Sequence, residues 1–296
     1  MRRTIFRILG YVLYGLIAFV AFVYIMFPYD LLRQRVIERA SQGNVTLNIA
    51  SVKPTFPPGL AMRQVQVAIR QPTASPEVLR LQTLRAWPQW LSLFSPAKSL
   101  GFTGQLYNGH ISGDVRYTRR GGKTYWESLA NFENLEVSRH ALLQDMEQTN
   151  RLTVEGRLSG MAKTRLTTAG QLEQGNIEFK MKPAILTPGE ASRLGLSKPL
   201  PCDDLNGAAT LARREWQIEE LTCRGDDIMI DLRGTFRPRS PWLASVPNLR
   251  VAMKSETAFQ AELSLLSQWA TQRPLGEDGE VKFGLRGRLD RLRPVR

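Results

Sequence analysis

Histidine and cysteine are nearly absent, with two of each in 296 residues. His110 and His140 stand far apart in the chain. No Cys and His pairs have the close spacing that zinc sites require. There is no glycine-rich dinucleotide or phosphate loop and no Gly-x-Ser-x-Gly elbow. Ser95-Pro96-Ala97-Lys98 matches a Ser-x-x-Lys spacing, but its companion motifs are missing and Pro96 interrupts the local helix. The acidic stretch Gly276–Glu280 lacks the alternating ligands of a calcium loop. Asp203-Asp204 and Asp226-Asp227 are adjacent pairs, whose side chains on a strand would point to opposite faces, and they read as turn residues. These absences predict no catalytic residues, no metal site, no cofactor and a chain that is not an enzyme.

Long apolar runs are also scarce: there is one. Ile8 to Phe27 carries no charge over 20 residues. A helix of that length rises about 30 Å, the thickness of a bilayer's hydrocarbon core. Tyr11, Tyr14 and Tyr24 lie near its ends, where amphipathic rings favour the headgroup layer. A cleaved signal peptide has a shorter apolar core followed by small residues, whereas this run ends in Tyr24-Ile25-Met26-Phe27. A helix buried in a soluble protein would carry polar residues on one side. The reading is therefore an uncleaved single-pass anchor. Arg2, Arg3 and Arg7 precede it and set the topology: residues 1–7 form a cytoplasmic tail, 8–27 a transmembrane helix, and the remainder is translocated. In an oxidising periplasm Cys202 and Cys223 can form one disulfide; the alternative is two buried thiols.

Charge is unbalanced, at +13 overall. Residues 1–41 carry +4, residues 42–200 carry +8 and residues 201–296 carry +1. Such a balance raises the question of nucleic acid, but the basic residues are scattered along strand patterns with no dense stripe, and a translocated domain would not meet it. Anionic lipid headgroups, acidic protein partners or plain solvation account better for them.

Periodicity separates the rest. Residues 28–43 read as a juxtamembrane amphipathic helix, Tyr29 to Gln42, with Leu31, Leu32, Val36, Ile37 and Ala40 as its apolar stripe and Gly43 placed to end it. From Asn44 the period becomes two. Val45, Leu47 and Ile49 alternate with polar residues, as do Val65, Val67 and Ile69 beyond the turn at Pro57-Pro58-Gly59. Leu79, Leu81 and Trp87 suggest a further strand, and Pro88–Leu100 reads as a short helix burying Trp90, Leu91, Leu93 and Phe94. Phe102, Leu106, Ile111 and Val115 then lie in short strands punctuated by Gly101, Gly104, Gly109 and Gly113. Further strands are expected at Arg151–Leu158, Gln171–Met181, Gly207–Leu211, Trp216–Arg224, Ile228–Phe236, Leu249–Ser255 and Val281–Leu289. Two helices are expected at Pro188–Gly195 and Phe259–Thr271, the latter with Leu263, Leu266 and Trp269 on one side. The fold class is mainly β. Residues 44–296 are expected to form one elongated, curved antiparallel sheet with a few short helices, with 187–204 as a possible sub-boundary. Helices are thin cover for so many strands, so an open apolar groove stands beside a closed sandwich or barrel as an architecture.

The order of features resembles a known family. The basic tail, the span and the helix Tyr29–Gln42 are followed by Asn44-Val45-Thr46-Leu47-Asn48-Ile49 and by Pro57-Pro58-Gly59-Leu60-Ala61-Met62. Then come Phe102-Thr103-Gly104 with Asn108-Gly109-His110-Ile111, and later Gly225-Asp226-Asp227 and Leu285-Arg286-Gly287. This is similar to the type II secretion system protein N family of Gram-negative bacteria, and the opening also resembles the N-terminal module of AsmA-type envelope proteins. The resemblance implies an inner-membrane anchor, a periplasmic β-rich domain and an accessory, non-catalytic role in protein secretion. The implied partners are inner-membrane or periplasmic components of the secretion apparatus and membrane lipid. The AsmA side implies instead a lipid-binding or lipid-transfer groove.

Overall fold

The computed structural model describes residues 10–15, 18–19, 22, 24, 26–41, 45–55, 58–71, 74–95, 97–140, 152–168, 171–188, 199–212, 215–239, 244–255, 259–272, 274–275, 278–289 and 291–295. These residues build one mainly β structure: a 15-stranded antiparallel sheet, with a helix at each end of the chain's course through it.

Helix α1 (Tyr29–Ala40) leads into β1 (Val45–Thr55), β2 (Gly59–Gln71), β3 (Ala74–Pro88), β4 (Lys98–Leu106), β5 (Gly109–Arg120), β6 (Lys123–Glu136), β7 (Leu152–Thr167) and β8 (Leu172–Pro188). The short β9 (Leu200–Cys202) precedes β10 (Asp204–Ala212), β11 (Glu215–Arg224), β12 (Ile228–Arg237) and β13 (Val246–Ser255). Helix α2 (Gln260–Thr271), β14 (Glu280–Arg288) and β15 (Arg291–Val295) follow. Each strand pairs with the next in sequence except at β9, which pairs β8 while β8 also pairs β10. The path runs from β1 to β15 without closing. This is an open meander rather than a barrel: among the strands, substantial contacts are between sheet neighbours, with β9 also touching β12. The exposed area, 19773 Å² for 33.5 kDa, exceeds the roughly 12,700 Å² of a compact monomer of that mass.

The strands are longer than their glycines suggested. β7 continues past Leu158 and β8 past Met181, and Gly101, Gly104, Gly109 and Gly113 lie within β4 and β5, leaving only Tyr107-Asn108 as the turn. Those glycines are sites of close approach, not breaks. β6, β9 and β15 are strands that the sequence reading did not single out. β8 pairs both β9 and β10; most of the stretch 187–204, with the expected helix at Pro188–Gly195 beyond Pro188, which ends β8, lies outside the described residues.

The segment after β3 is a single 3-10 turn, Trp90–Phe94, and not a helix to Leu100, because β4 has begun at Lys98. Serine side chains satisfy its backbone: Ser99 N donates to Ser92 Oγ at 3.0 Å and Ser92 Oγ donates to Gln89 O at 2.6 Å. Trp90, Leu91 and Phe94 point outward, contrary to the expected burial.

Helix α1 packs along β1, Arg33 donating to Ala50 O at 2.7 Å and Leu47 N to Ser41 Oγ at 2.9 Å. Its stripe is narrower than expected, with Leu31 and Val36 exposed while Leu32 and Ile37 are partly buried; Gln42 and Gly43 lie outside the described residues. The core sits at the other end. Helix α2 lays Phe259, Leu263, Leu266 and Ala270 on Val251, Met253, Val281, Phe283 and Leu285. Trp269, expected on that face, is 44% exposed.

Leu263 is fully buried in this cluster while Leu265, one residue beyond Ser264, is exposed. Leu263→Ala is expected to cost about 2–5 kcal/mol of stability and Leu265→Ala less than about 0.5 kcal/mol, compared by denaturant titration of the full chain in detergent.

Candidate functional site: an apolar face across the sheet

Alternation with period two sends neighbouring residues of a strand to opposite faces. Antiparallel register then stacks residues from successive strands into rows across the sheet. One row runs Val52, Met62, Leu84, Gly104, Ile111, Phe132, Gly160, Phe179, Gly207, Leu221, Leu232, Val251, Phe283. It crosses thirteen strands without a polar side chain. The next row on the same face begins Pro54, Leu60, Ala86, Phe102 and ends Gly234, Leu249, Leu285, Pro294. Between those ends it passes Gly113, Ala130, Ala162, Ile177, Ala209 and Ile218, again all apolar. The intervening row, with Lys53, Arg85, Thr103, Ser112, Asn131, Glu178 and Glu220, faces the other way; Ala61, Met161 and Ala208 are its apolar members. At about 4.8 Å between strands the two apolar rows extend roughly 60 Å.

Aromatic rings on this face lie over glycines of the adjoining strand. A β-carbon placed on Gly113 would sit 2.9 Å from Phe102 Cζ, and one on Gly160 would sit 2.9 Å from Phe132 Cζ. Phe179 covers Gly207 in the same way, with its Cε1 2.5 Å from that position. Trp216 over Gly175 repeats the device, and Trp87 covers Gly101 on the opposite face. Rings that lie down on glycine keep the surface shallow and smooth where standing rings would fill it.

Helical cover is confined to the ends. α2 closes the face over β13–β15, and Ile49 and Val65 are buried where α1 meets β1. Cys202 and Cys223 are joined in a disulfide, Cα–Cα 5.4 Å, which ties β9 to β11 within a small cluster of Val154, Met181 and Ala184. Between these points Phe102, Ile111, Phe132, Ile177 and Phe179 are only partly buried, and among the described residues no α-helix lies over them.

The opposite face is polar. Arg165 donates to Glu127 at 3.0 Å through Nε and to Gln174 at 2.7 Å, and its guanidinium stands 5.8 Å from the centre of the Tyr125 ring. Lys180 and Lys182 share Asp204, at 3.2 and 2.5 Å. The Lys182 ammonium is held below its ordinary value, first by the neighbouring Lys180 side chain and then by burial, with Asp203 opposing. Asp204 thus opens a strand rather than sitting in a turn, whereas Asp226-Asp227 do form one. His110 is exposed on β5, paired across from Glu133, and His140 packs on the Tyr107 ring at 5.8 Å. Arg2, Arg3 and Arg7 lie outside the described residues, as does part of the span 8–27. Its described members are helical from Gly10 to Gly15 and at Ala18, Phe19, Phe22, Tyr24 and Met26, and Phe19, Phe22 and Met26 are exposed. Among the described residues no helix is long and apolar enough to cross a membrane.

Comparison with family models, with curated proteins and with solved structures finds no match.

The sequence reading raised an open groove without naming its residues. The signal lay in the Phe and Gly positions, legible only once register sets them side by side. Gly160 and Gly207 separate two roles. A β-carbon on Gly160 would collide with the Glu178 carbonyl and lie 2.7 Å from Phe179 Cα, both backbone, while one on Gly207 meets mainly the movable end of the Phe179 ring. Gly160→Ala is expected to destabilise by about 1–3 kcal/mol, as overpacking does. Gly207→Ala is expected to cost less and to lift the Phe179 ring off the sheet. Paired denaturant curves and the aromatic NMR shifts of Phe179 check this.

Proposed function

We propose that this chain is a non-catalytic, membrane-anchored component of the bacterial envelope whose working surface is the apolar face of its sheet, on which it shields the acyl chains of lipid. The observation that carries the reading is the pair of apolar rows crossing the whole sheet. An apolar face of this extent needs an occupant. An acyl chain spanning half of a ~30 Å hydrocarbon core is about 15 Å long, so the face offers room for several in file. Burying about ten methylenes gains on the order of 8 kcal/mol, similar to the cost of immobilising a ligand. Lipids with two chains are accordingly the expected occupants.

The setting comes from the resemblance to the type II secretion system protein N family. In this reading residues 8–27 cross the inner membrane once, the N-terminus is cytoplasmic, residues 44–296 lie in the periplasm, and the chain acts as an accessory of the secretion apparatus. The exposed apolar side chains of the N-terminal helix and the disulfide support that compartment. The lipid-handling role is the one the AsmA-type resemblance implies. Strand addition to secretion components at the edges β1 and β15 is the other use such a sheet allows, but it would leave the apolar face without an occupant.

Photocrosslinkable residues at Phe132 and Phe179, with Glu178 on the polar face as control, test the reading in intact cells. Phospholipid recovered from the first two positions and not from the third is expected. Capture of secretion-apparatus proteins alone at all three would replace the lipid role by a protein-docking one, and recovery of neither would sink both. A second check addresses the compartment. Cys202 and Cys223 are expected to resist alkylation in intact cells until a reductant is added; ready labelling without reductant would place the domain in a reducing compartment. The bridge closes a loop of 21 residues, so its reduction is expected to cost about 3 kcal/mol, measured by denaturant titration.

A further inference from the structure

We infer that the turn Trp90–Phe94 is a second membrane contact, a rigid apolar knob that dips into the headgroup layer of the bilayer holding the N-terminal helix; this rests on the anchoring proposed above. Three observations converge on it. Leu91 is 90% exposed, Phe94 93% and Trp90 50%, the most apolar five-residue cluster that the described residues of the sheet domain offer to solvent. Their turn is not a loose loop. Ser92 and Ser99 bind each other through Ser99 N to Ser92 Oγ, 3.0 Å, Ser99 Oγ donates to Gln89 Oε1 at 2.8 Å, and Gln89 N donates to Ser99 O at 3.0 Å. A turn so pinned holds its apolar side chains outward at no further ordering cost.

The second observation is placement. Tyr24, near the end of the apolar N-terminal segment, donates its hydroxyl to the carbonyls of Thr55 and Gly59 in the β1–β2 turn. That turn is beside the end of β3, since Leu60 pairs Ala86, and the Trp90 turn leaves from the same end, since Pro88 pairs Leu100. The turn therefore leaves the sheet about two strand spacings, roughly 10 Å, from the strands that Tyr24 touches.

The third is its surroundings. The β5–β6 hairpin tip is at the same end, because Lys98 pairs Tyr117. It turns at Gly121-Gly122, φ +57° and +77°, and exposes Arg119, Arg120 and Lys123. Arg120 also reaches Glu127 at 3.6 Å. A tryptophan with aliphatic and phenyl neighbours, flanked by cations, matches the chemistry of an anionic bilayer surface. A protein pocket would suit the apolar side chains equally, but the nearness of the anchor favours lipid.

The full chain in vesicles of phosphatidylethanolamine and phosphatidylglycerol provides the test. An environment-sensitive fluorophore is attached singly to Leu91→Cys, Phe94→Cys, Phe19→Cys or Asn108→Cys, the last at the opposite end of β4 and β5. Probes at 91 and 94 are expected to shift to the blue and to be quenched at least twofold by lipids with a shallow nitroxide. The probe at 108 is expected to stay aqueous and that at 19 to respond to a deep nitroxide. A deep probe at 19 with aqueous probes at 91 and 94 would overturn the knob and leave the anchor standing. An aqueous probe at 19 would overturn both.

Discussion

The antiparallel pairing of each strand with its sequence neighbour governs everything else in this molecule. A two-residue period forces every second side chain onto one face, and an unbroken meander forces those side chains into rows. A single slip would interleave Glu178 or Asn131 with Phe132 and Phe179. The β-bulges at Gly156/Arg157, Phe132/Leu135 and Ala208/Ala209 shift individual pairings yet leave the apolar rows intact. Local irregularity is thus tolerated only where the face is preserved.

Openness follows from the same pairing. Each interior strand's backbone groups are satisfied by its two neighbours, so the sheet has no need of a second layer to satisfy those hydrogen bonds. What remains unsatisfied is the apolar face. Helix α2 and its cluster cover one end, and the buried Ile49 and Val65 beside α1 mark the other. In the middle, rings laid over glycine lower the profile without closing it. The stability of the molecule therefore concentrates at the C-terminal end, in the α2 cluster and the disulfide cluster, while the middle strands keep a surface suited to an apolar occupant.

The N-terminal helix and the sheet are joined by hydrogen bonds. Tyr24 and Tyr29 link the apolar helix to the first turn of the sheet, Tyr29 donating to Tyr24 O at 2.6 Å; burial, aided by Tyr24, pushes the Tyr29 hydroxyl up. A hydrophobic row beginning at Val52 starts next to that junction, so the proposed lipid path opens where a bilayer would supply lipid.

The sequence by itself determined the mainly β class, the antiparallel character, the positions of α1 and α2 and the one apolar N-terminal run, because hydrophobic period and run length are local properties. It misjudged what depends on neighbours distant in the chain. Gly101, Gly104, Gly109 and Gly113 looked like breaks between short strands because a glycine packed closely against a neighbouring strand is indistinguishable, in one dimension, from a glycine in a turn. Trp90, Leu91 and Phe94 looked like core because apolarity signals burial only on average. Tertiary structure decided that the sheet stays open, that its apolar residues align in file and that this turn faces outward, since each depends on register between strands and on which surfaces the helices reach.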